Sequence, residues 1–515
     1  MNGFVLNNTI KARLKKTLAF VLALSLLCAF SACKKETPEE ETTAGDVEQT
    51  DVVKAPAGSV TVPYTSLDSV NPFFCTSVLN SSVLPLVFRS LYTLNSGFTA
   101  EPDVAITETA TPEAVRVSLP ETVLFSDGVM LTSSDVVYSF SLAKDAPLYK
   151  EALRNVERCE AAGNHGVVFQ MKTPDVNALN VLTFPIVKHG TAGGEKDLPV
   201  GAGPFAFEKK EGKLTLAFNA KYSGELPAVG NIVLKNITET SSLMHLLDTD
   251  EIDCFYTDLS SGTAKRSASG AGEVYLNNLV FLGVNHGSYQ LYTADVRRAI
   301  SLALSRSLIC SNAYMNHARA AFYPVNTSWE ALNAGTLSAE QIGDADVRAA
   351  DALLSVIHAG TKGETLHYRL LCPDGNPFLR SAAALIAEQL AAVNVQLELE
   401  YLAMDAFQLA LGSGKFDFYL AEIKLTRNMD LSPFFSGGAA SYGMKMDDLR
   451  SDTTYGLYRS GQVELSEFLD VFASELPFIP LLYRNGQFCY SRHIDGKVES
   501  TEENLFRSIA EWEVH

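Results

Sequence analysis

The chain has 515 residues, 47% of them hydrophobic, enough to build sizeable cores and to fill about three domains of roughly 150 residues each. Acidic residues outnumber basic ones, 60 Asp and Glu against 41 Lys and Arg, for a formal charge of −19, and this balance argues against nucleic acid as a partner. The nine His residues are scattered, His165, His189, His245 and His286 lack ligand spacing, and no G-x-S-x-G, H-E-x-x-H or S-x-x-K with K-T-G is present. The chain therefore reads as no enzyme, with no cofactor and no metal site.

The first 32 residues read as an address. Lys11, Arg13, Lys15 and Lys16 form a basic region, and Leu18 to Phe30 an apolar run too short for a comfortable membrane span. Ser31-Ala32-Cys33 resembles a bacterial lipobox, with Phe30 where that pattern prefers Leu, so Cys33 is the expected lipid anchor. Two acyl chains, at roughly 0.8 kcal/mol per buried CH₂, hold a protein on a membrane surface. Residues 33–57 are charged, Thr- and Pro-bearing and without apolar periodicity, which predicts a flexible acidic tether. Beyond them stand Cys75, Cys159, Cys254, Cys310, Cys372 and Cys489. None has C-x-x-C spacing, and free buried thiols are expected.

Ser59 to Tyr64 alternate as a strand and are followed by an Asn71-Pro72 turn. Val115 to Leu119 form another strand, leading into the Phe125-Ser126-Asp127-Gly128 turn. Thr132 then caps a helix with Asp135 at its third position, and Val136, Val137, Phe140 and Ala143 supply its buried face. Gly201, Gly203 and Ala206 fit the dinucleotide fingerprint by spacing alone. Pro204 breaks the helix that fingerprint requires, and a strand follows instead.

Phe281 to Asn285 form a short apolar strand ending on a polar residue. Thr293 caps a helix with Asp295 in its first turn, and Val296, Ala299, Ile300, Ala303, Leu304 and Leu308 make one apolar face. Arg297, Arg298 and Arg306 lie off that stripe. Further on, a helix is expected over 378–390, a strand over 395–399, and a last strand over 506–512. Gly414-Lys415 fails as a phosphate loop, because Phe416 replaces the required Ser/Thr.

Several of these steps resemble one family in order. They are Asn71-Pro72, Glu101-Pro102-Asp103-Val104-Ala105, the block from Phe125-Ser126-Asp127-Gly128 through Asp135-Val136, Pro199 to Phe205, Asn219 to Tyr222, Asn285 followed by VR-x-A-I-x-x-A-L-x-R, Gly414 to Asp417, and Leu476 to Leu482. The chain resembles the family-5 solute-binding proteins, the oligopeptide-, dipeptide- and nickel-type receptors of ABC importers. The resemblance runs from about Ser59 to Trp512. It implies an α/β fold of the periplasmic-binding-protein-like type II (cluster C), with two main lobes plus an extra lobe II. Lobe I would comprise 58–88, 197–283 and 487–515, lobe II 89–196, and lobe III 284–486.

The implied function is that of a substrate-binding lipoprotein of an ABC importer, on the extracytoplasmic face of the bacterial cell membrane. It would act as a monomer, capturing a peptide or peptide-like solute between lobes I and III and delivering it to ABC permease subunits. The alternative is a ligand-sensing or scaffold lipoprotein of the same fold that takes an anionic non-peptide solute without dedicated transport. By the resemblance, the cleft is lined by Thr76, Ser77 and Val78 from lobe I, Asn278 and Phe281 just before the crossover, and Lys424, Thr426 and Arg427 from lobe III. Family ligands add main-chain hydrogen bonds like an extra strand, so Thr76 to Val78 are expected to contribute backbone.

One departure bears on the ligand. Peptide-binding members carry a Trp-x-x-Asp step whose acid pairs with the ligand's ammonium group. Counting forward from Asp417 puts Thr426 at that place, and counting back from Asp430 puts Arg427 there. With Arg427, the site would clamp a carboxylate or phosphate and favour an N-blocked peptide or an anionic solute. With a shifted alignment, Glu422 would anchor the ammonium.

Overall fold

The computed structural model describes residues 56–262, 270–288, 290–334, 344–360, 365–435 and 438–515. The leader, Cys33 and nearly all of the tether lie outside the described residues. Among the described residues, no helix is long and apolar enough to cross a membrane.

The opening strand is β1 (Ser59–Tyr64), with Val60 and Val62 turned into the core. A short helix, α1 (Val78–Val83), and the strand pair β2 (Tyr92–Leu94) and β3 (Ala100–Pro102) follow. The next unit holds β4 (Ile106–Ala110), β5 (Ala114–Ser118), α2 (Ser133–Ala143), β6 (Val156–Ala161) and β7 (Gly166–Met171), with its antiparallel strands ordered β4-β5-β7-β6. At the start of α2 the Thr132 N–H donates to Asp135 Oδ2 at 2.8 Å. Val136, Phe140 and Ala143 are buried, as the helical period predicts, while Val137 is half-buried.

The chain then returns to the sheet of β1 through β8 (Phe205–Lys210), β9 (Lys213–Phe218) and β10 (Asn231–Asn236), in the order β1-β10-β9-β8, with β1 parallel to β10. The glycines before β8 serve close packing. A Cβ on Gly201 or Gly203 would collide with the Val87 carbonyl, so this turn has no phosphate cradle to offer.

The largest sheet has seven strands: β11 (Cys254–Thr257), β12 (Gly270–Val284), β13 (Ala318–Ala320), β14 (Leu366–Pro373), β15 (Val395–Leu402), β16 (Phe418–Lys424) and β17 (Ile479–Tyr490). Its order is β11-β17-β12-β16-β14-β15, with β13 added to β17. The parallel pair β14 and β15 is joined by helix α3 (Pro377–Ala391). That helix starts cleanly because Asn376 Oδ1 accepts from Phe378 N–H at 2.9 Å and Pro377 presets the first turn. The strand expected at 281–285 is the end of the fifteen-residue β12.

β12 and β17 each pass through two separate cores. Val274, Leu276 and Phe488 pack with Val60, Phe205 and Trp512. Leu279 to Leu282 and Ile479 to Tyr483 pack with Ile300, Ile386 and Trp329. Between the two cores the same strands carry polar residues. Arg484 Nε and Nη2 donate to Glu422 Oε1 at 2.9 and 2.6 Å, and Asn278 Nδ2 donates to that same oxygen at 2.7 Å. Asn277 Nδ2 donates to the Thr426 carbonyl at 2.8 Å. The Arg319 guanidinium lies 3.6 Å from the centre of the Tyr275 ring.

A second polar cluster ties the four-stranded β4–β7 unit to the end of the large-sheet unit. Arg459 Nη2 meets Asp175 Oδ2 at 2.5 Å, and Asn428 Nδ2 donates to that oxygen at 2.6 Å. Arg459 also faces Asp430, which pairs with Arg154 and accepts from the Tyr455 hydroxyl. Burial raises the Asp175 carboxyl, and Arg459 works against that rise.

Two expectations are corrected here. The helix from Thr293 ends at Ala303, Leu304 is extended, and Ser305 starts a new turn. Leu308 is consequently exposed while Arg297 and Arg306 are buried. Both arginines donate to carbonyls, Arg297 to Leu476, Leu291, Tyr292 and Glu475, and Arg306 to Ala321 and Pro480. Burial lowers each guanidinium to about 10. The expected strand over 506–512 is mostly turn and a single 3₁₀ turn, and only Trp512–Val514 are extended, paired with Ile494–Gly496. The six described cysteines are free and buried, as expected.

Candidate ligand cavity

A cavity of about 440 Å³ lies where α1, the β4–β7 unit, the end of β16 and the segment 502–507 converge. This is near the small end of the usual range of about 300–1,000 Å³ for small-molecule sites. Thr76 and Val78 line it, as do Tyr149, Tyr256, Lys424 and Arg427. The Tyr149 hydroxyl has no hydrogen-bond partner among the described residues, although the residue is only 7% exposed.

Asp68 shapes the Thr76 side of the cavity. Its carboxylate accepts from the Thr76 N–H at 3.1 Å, the Thr76 hydroxyl at 2.9 Å and the Ser77 N–H at 2.8 Å. Burial raises this carboxyl, but the bonds from Ser77 and Thr76 outweigh burial and hold it at about 2. Ser77 caps α1, accepting from Asn80 N–H at 3.2 Å, and Val78 is already helical. The backbone donors of Thr76 and Ser77 are therefore committed within the chain, and this stretch is not a free strand edge.

The opposite wall is a charge cluster that the sequence reading only half identified. Lys424 Nζ pairs with Glu502, and Arg427 Nε lies 2.9 Å from Glu503 Oε1. Arg427 Nη1 also donates to the Thr183 hydroxyl at 2.5 Å. Glu503 Oε1 is buried and receives no hydrogen bond, so its contact with Arg427 is an ion pair alone. Burial pushes the Glu503 carboxyl upward, against the pull of Arg427. Lys424 is raised, chiefly by Glu502. Asp258 on the same cavity has no cation within ion-pair distance among the described residues.

The structure thus brings Thr76, Val78, Lys424 and Arg427 to one cavity. The other expected cleft residues lie elsewhere. Phe281 is 1% exposed, with its ring against Tyr419, Phe434 and Phe478 at 4.9–5.7 Å. It is core because both faces of β12 are covered beyond Asn278. Asn278 is held by Glu422, and Thr426 donates to Asn428 Oδ1 at 2.7 Å. Glu422, the other candidate ammonium anchor, is taken up by Arg484 and Asn278. Glu502 and Glu503 were missed because they sit in a turn near the C-terminus, in no recognisable motif. The only signal there was a pair of acids with no helical or strand period.

Two cores thus share crossing strands, and the cavity is lined by side chains of the core of β1 together with Lys424 and Arg427. Residues 100–444 match the bacterial extracellular solute-binding proteins, family 5 Middle, and the chain belongs to that family. It is 22% identical over 505 residues to the oligopeptide-binding protein AppA of Bacillus subtilis, covering 84% of this chain and 91% of that one. Its fold is shared with the unliganded open form of MppA, a periplasmic murein tripeptide-binding protein, at TM-score 0.73 and 16% identity, covering 89% of this chain and 98% of that one. It is also shared with CtaP of Listeria monocytogenes, an ABC transporter substrate-binding protein, at TM-score 0.69 and 18% identity, covering 89% and 99%.

Proposed function

We propose that this protein is the substrate-binding lipoprotein of an ABC importer, anchored through Cys33 on the extracytoplasmic face of the membrane. In this reading it captures a peptide or peptide-like solute as a monomer and presents it to permease subunits. The observation that carries the reading is the cavity in which Lys424 and Arg427, from the end of β16 and just beyond it, face side chains of the core of β1, in a chain whose relatives include an oligopeptide-binding protein. Lobe I would comprise 58–88, 197–283 and 487–515, lobe II 89–196 and lobe III 284–486, with closure of lobe III over lobe I enclosing the ligand. The cavity residues Thr76, Val78, Lys424 and Arg427 are the proposed contacts, with Tyr149 and Tyr256 beside them.

The test has two arms. Cys33→Ser should release the protein from membranes, and retention would remove the lipid anchor from the proposal. A thermal-shift screen against two- to five-residue peptides should raise the melting temperature, since a ligand at 100 times its Kd adds about 2.7 kcal/mol. Trp329 lies in the core of β14–β16 and Trp512 in that of β1, so intrinsic fluorescence gives a second readout.

A further inference from the structure

Resting on that reading, we propose that the cavity selects a short peptide-like ligand without a free carboxylate, and that the Tyr149 hydroxyl donates to one of its amide oxygens. The selection concerns the carboxyl end alone, and the amino end is free to be charged or blocked.

Four cations line the cavity, Arg89, Lys424, Arg427 and Arg507, and each already faces an acid. Arg89 Nη2 lies 2.5 Å from Asp103 Oδ1, and Lys424 pairs with Glu502. Arg427 Nε lies 2.9 Å from Glu503 Oε1, and Arg507 pairs with Glu101. Two further acids on the lining, the half-buried Asp258 and the exposed Glu225, have no cation within ion-pair distance among the described residues. The lining therefore presents four basic side chains against five acidic ones. An incoming carboxylate meets no spare cation and a surplus of like charge.

To bind here, a carboxylate has to take a cation from its acid. Arg427 and Glu503 are 26% and 10% exposed and Thr183 holds the guanidinium as well, so separating them strands a desolvated charge. Lys424 is 62% exposed and moves more readily. Its departure leaves Glu502, 15% exposed, beside Glu503 with Arg427 alone to serve both acids. The backbone gives no alternative, because the Thr76 and Ser77 N–H groups are bonded to Asp68. A C-terminal amide has no charge to place and leaves every pair intact. What the cavity does offer is a neutral donor, the unpartnered Tyr149 hydroxyl. Burial pushes this phenol upward against the pull of Arg427, so it keeps its proton for an amide carbonyl.

The probe is a mixture of two- to four-residue peptides from a protein hydrolysate, used in four forms: untreated, N-acetylated, C-amidated, and blocked at both ends. The full chain is titrated with each, read by melting temperature and by mass spectrometry of retained species. The C-amidated mixture should bind about ten-fold or more tightly than the untreated one, and the doubly blocked mixture should exceed the N-acetylated one by as much. Glu502→Gln removes an acid and releases Lys424, so both free-acid forms should gain about ten-fold in affinity. A gain of this kind is not produced by a general loss of structure. Tyr149→Phe keeps the ring and removes the hydroxyl, and should weaken the C-amidated mixture by about three- to ten-fold. Free-acid forms binding as tightly as their amidated counterparts overturn the assignment, as does amidated binding unaltered in Tyr149→Phe, and either leaves the peptide-receptor reading standing. No shift with any mixture overturns both.

Discussion

Asp175, which follows β7, and Arg459, which ends the helix Arg450–Arg459, form a buried ion pair at 2.5 Å, with side chains 1% and 10% exposed. The segment that reaches it, Thr426 to Asp430, turns Arg427 toward the cavity and Asn428 and Asp430 toward this pair. The cavity wall is thus fastened from behind. Arg459→Met should lower stability by about 3–5 kcal/mol, because it leaves the buried Asp175 carboxylate without a cation, and Asp175→Asn by less, because Arg459 keeps Asp430. Urea unfolding of the two single variants and the double variant checks the coupling. Additive losses would mean the two residues do not act as a pair.

Phe281 is predicted to act through packing alone. Phe281→Leu should lower stability by about 1–2 kcal/mol, since a ring touching three aromatic neighbours is replaced by a smaller shape. The affinity for any peptide bound in the thermal-shift screen should stay within about two-fold. A ten-fold loss of affinity at unchanged stability would place Phe281 in the binding surface.

His286 predicts a pH dependence. Its Nε2 lies 2.9 Å from the Pro477 carbonyl and its Nδ1 accepts from the Lys445 N–H at 3.4 Å, so the neutral ring with its proton on Nε2 is fully used. Burial, helped by Arg297, lowers its folded pKa to about 4 from 6.5. The unfolded chain therefore takes the proton first. The neutral ring's advantage is complete above about pH 6.5 and is lost as pH falls toward 4, on the order of 2–3 kcal/mol. Urea midpoints at pH 7 and pH 4.5 should show a smaller difference in His286→Gln than in the parent chain. Equal differences would assign the acid sensitivity elsewhere.

Asp68 acts in a lower window. Its folded pKa is held at about 2 against 3.8, so its stabilisation is present above about pH 4 and disappears as pH falls through 2. Asp68→Asn removes the charge that Thr76 and Ser77 donate to and should cost about 1.5–3 kcal/mol at pH 7. The variant should also lose the parent's slope between pH 4 and 2, read by circular dichroism along an acid titration.

Much of the fold was legible because it rests on local period. The Thr132–Asp135 box, the strand of Val60 and Val62, and the helix around Phe378 to Leu390 each announce themselves within a dozen residues. The break at Leu304 was not legible, since it depends on Gln389 and Asp344 binding the backbone of Ser305 and Arg306 from afar. The same limit applied at the site. Lys424 and Arg427 stand beside a familiar step in the sequence, whereas Glu502 and Glu503 reach them only through the return of the chain's last segment. Phe281 could not be told from a cleft residue, because an apolar strand reads alike whether one face or both are covered.

The sharing of β12 and β17 between two cores has a consequence for the order of folding. The core that Val60 enters is completed by Phe488, Phe506 and Trp512, which are made last. Closing so large a loop adds only slowly to the entropic cost, but contacts of such long range make formation slow. A nascent chain that stops before Ile479 therefore has β11 still waiting for its only strand partner, β17, and the core of β1 lacking its last side chains. A truncation at residue 478 should leave β11 open to protease while the βαβ unit of β14, α3 and β15 has both of its own strands in hand.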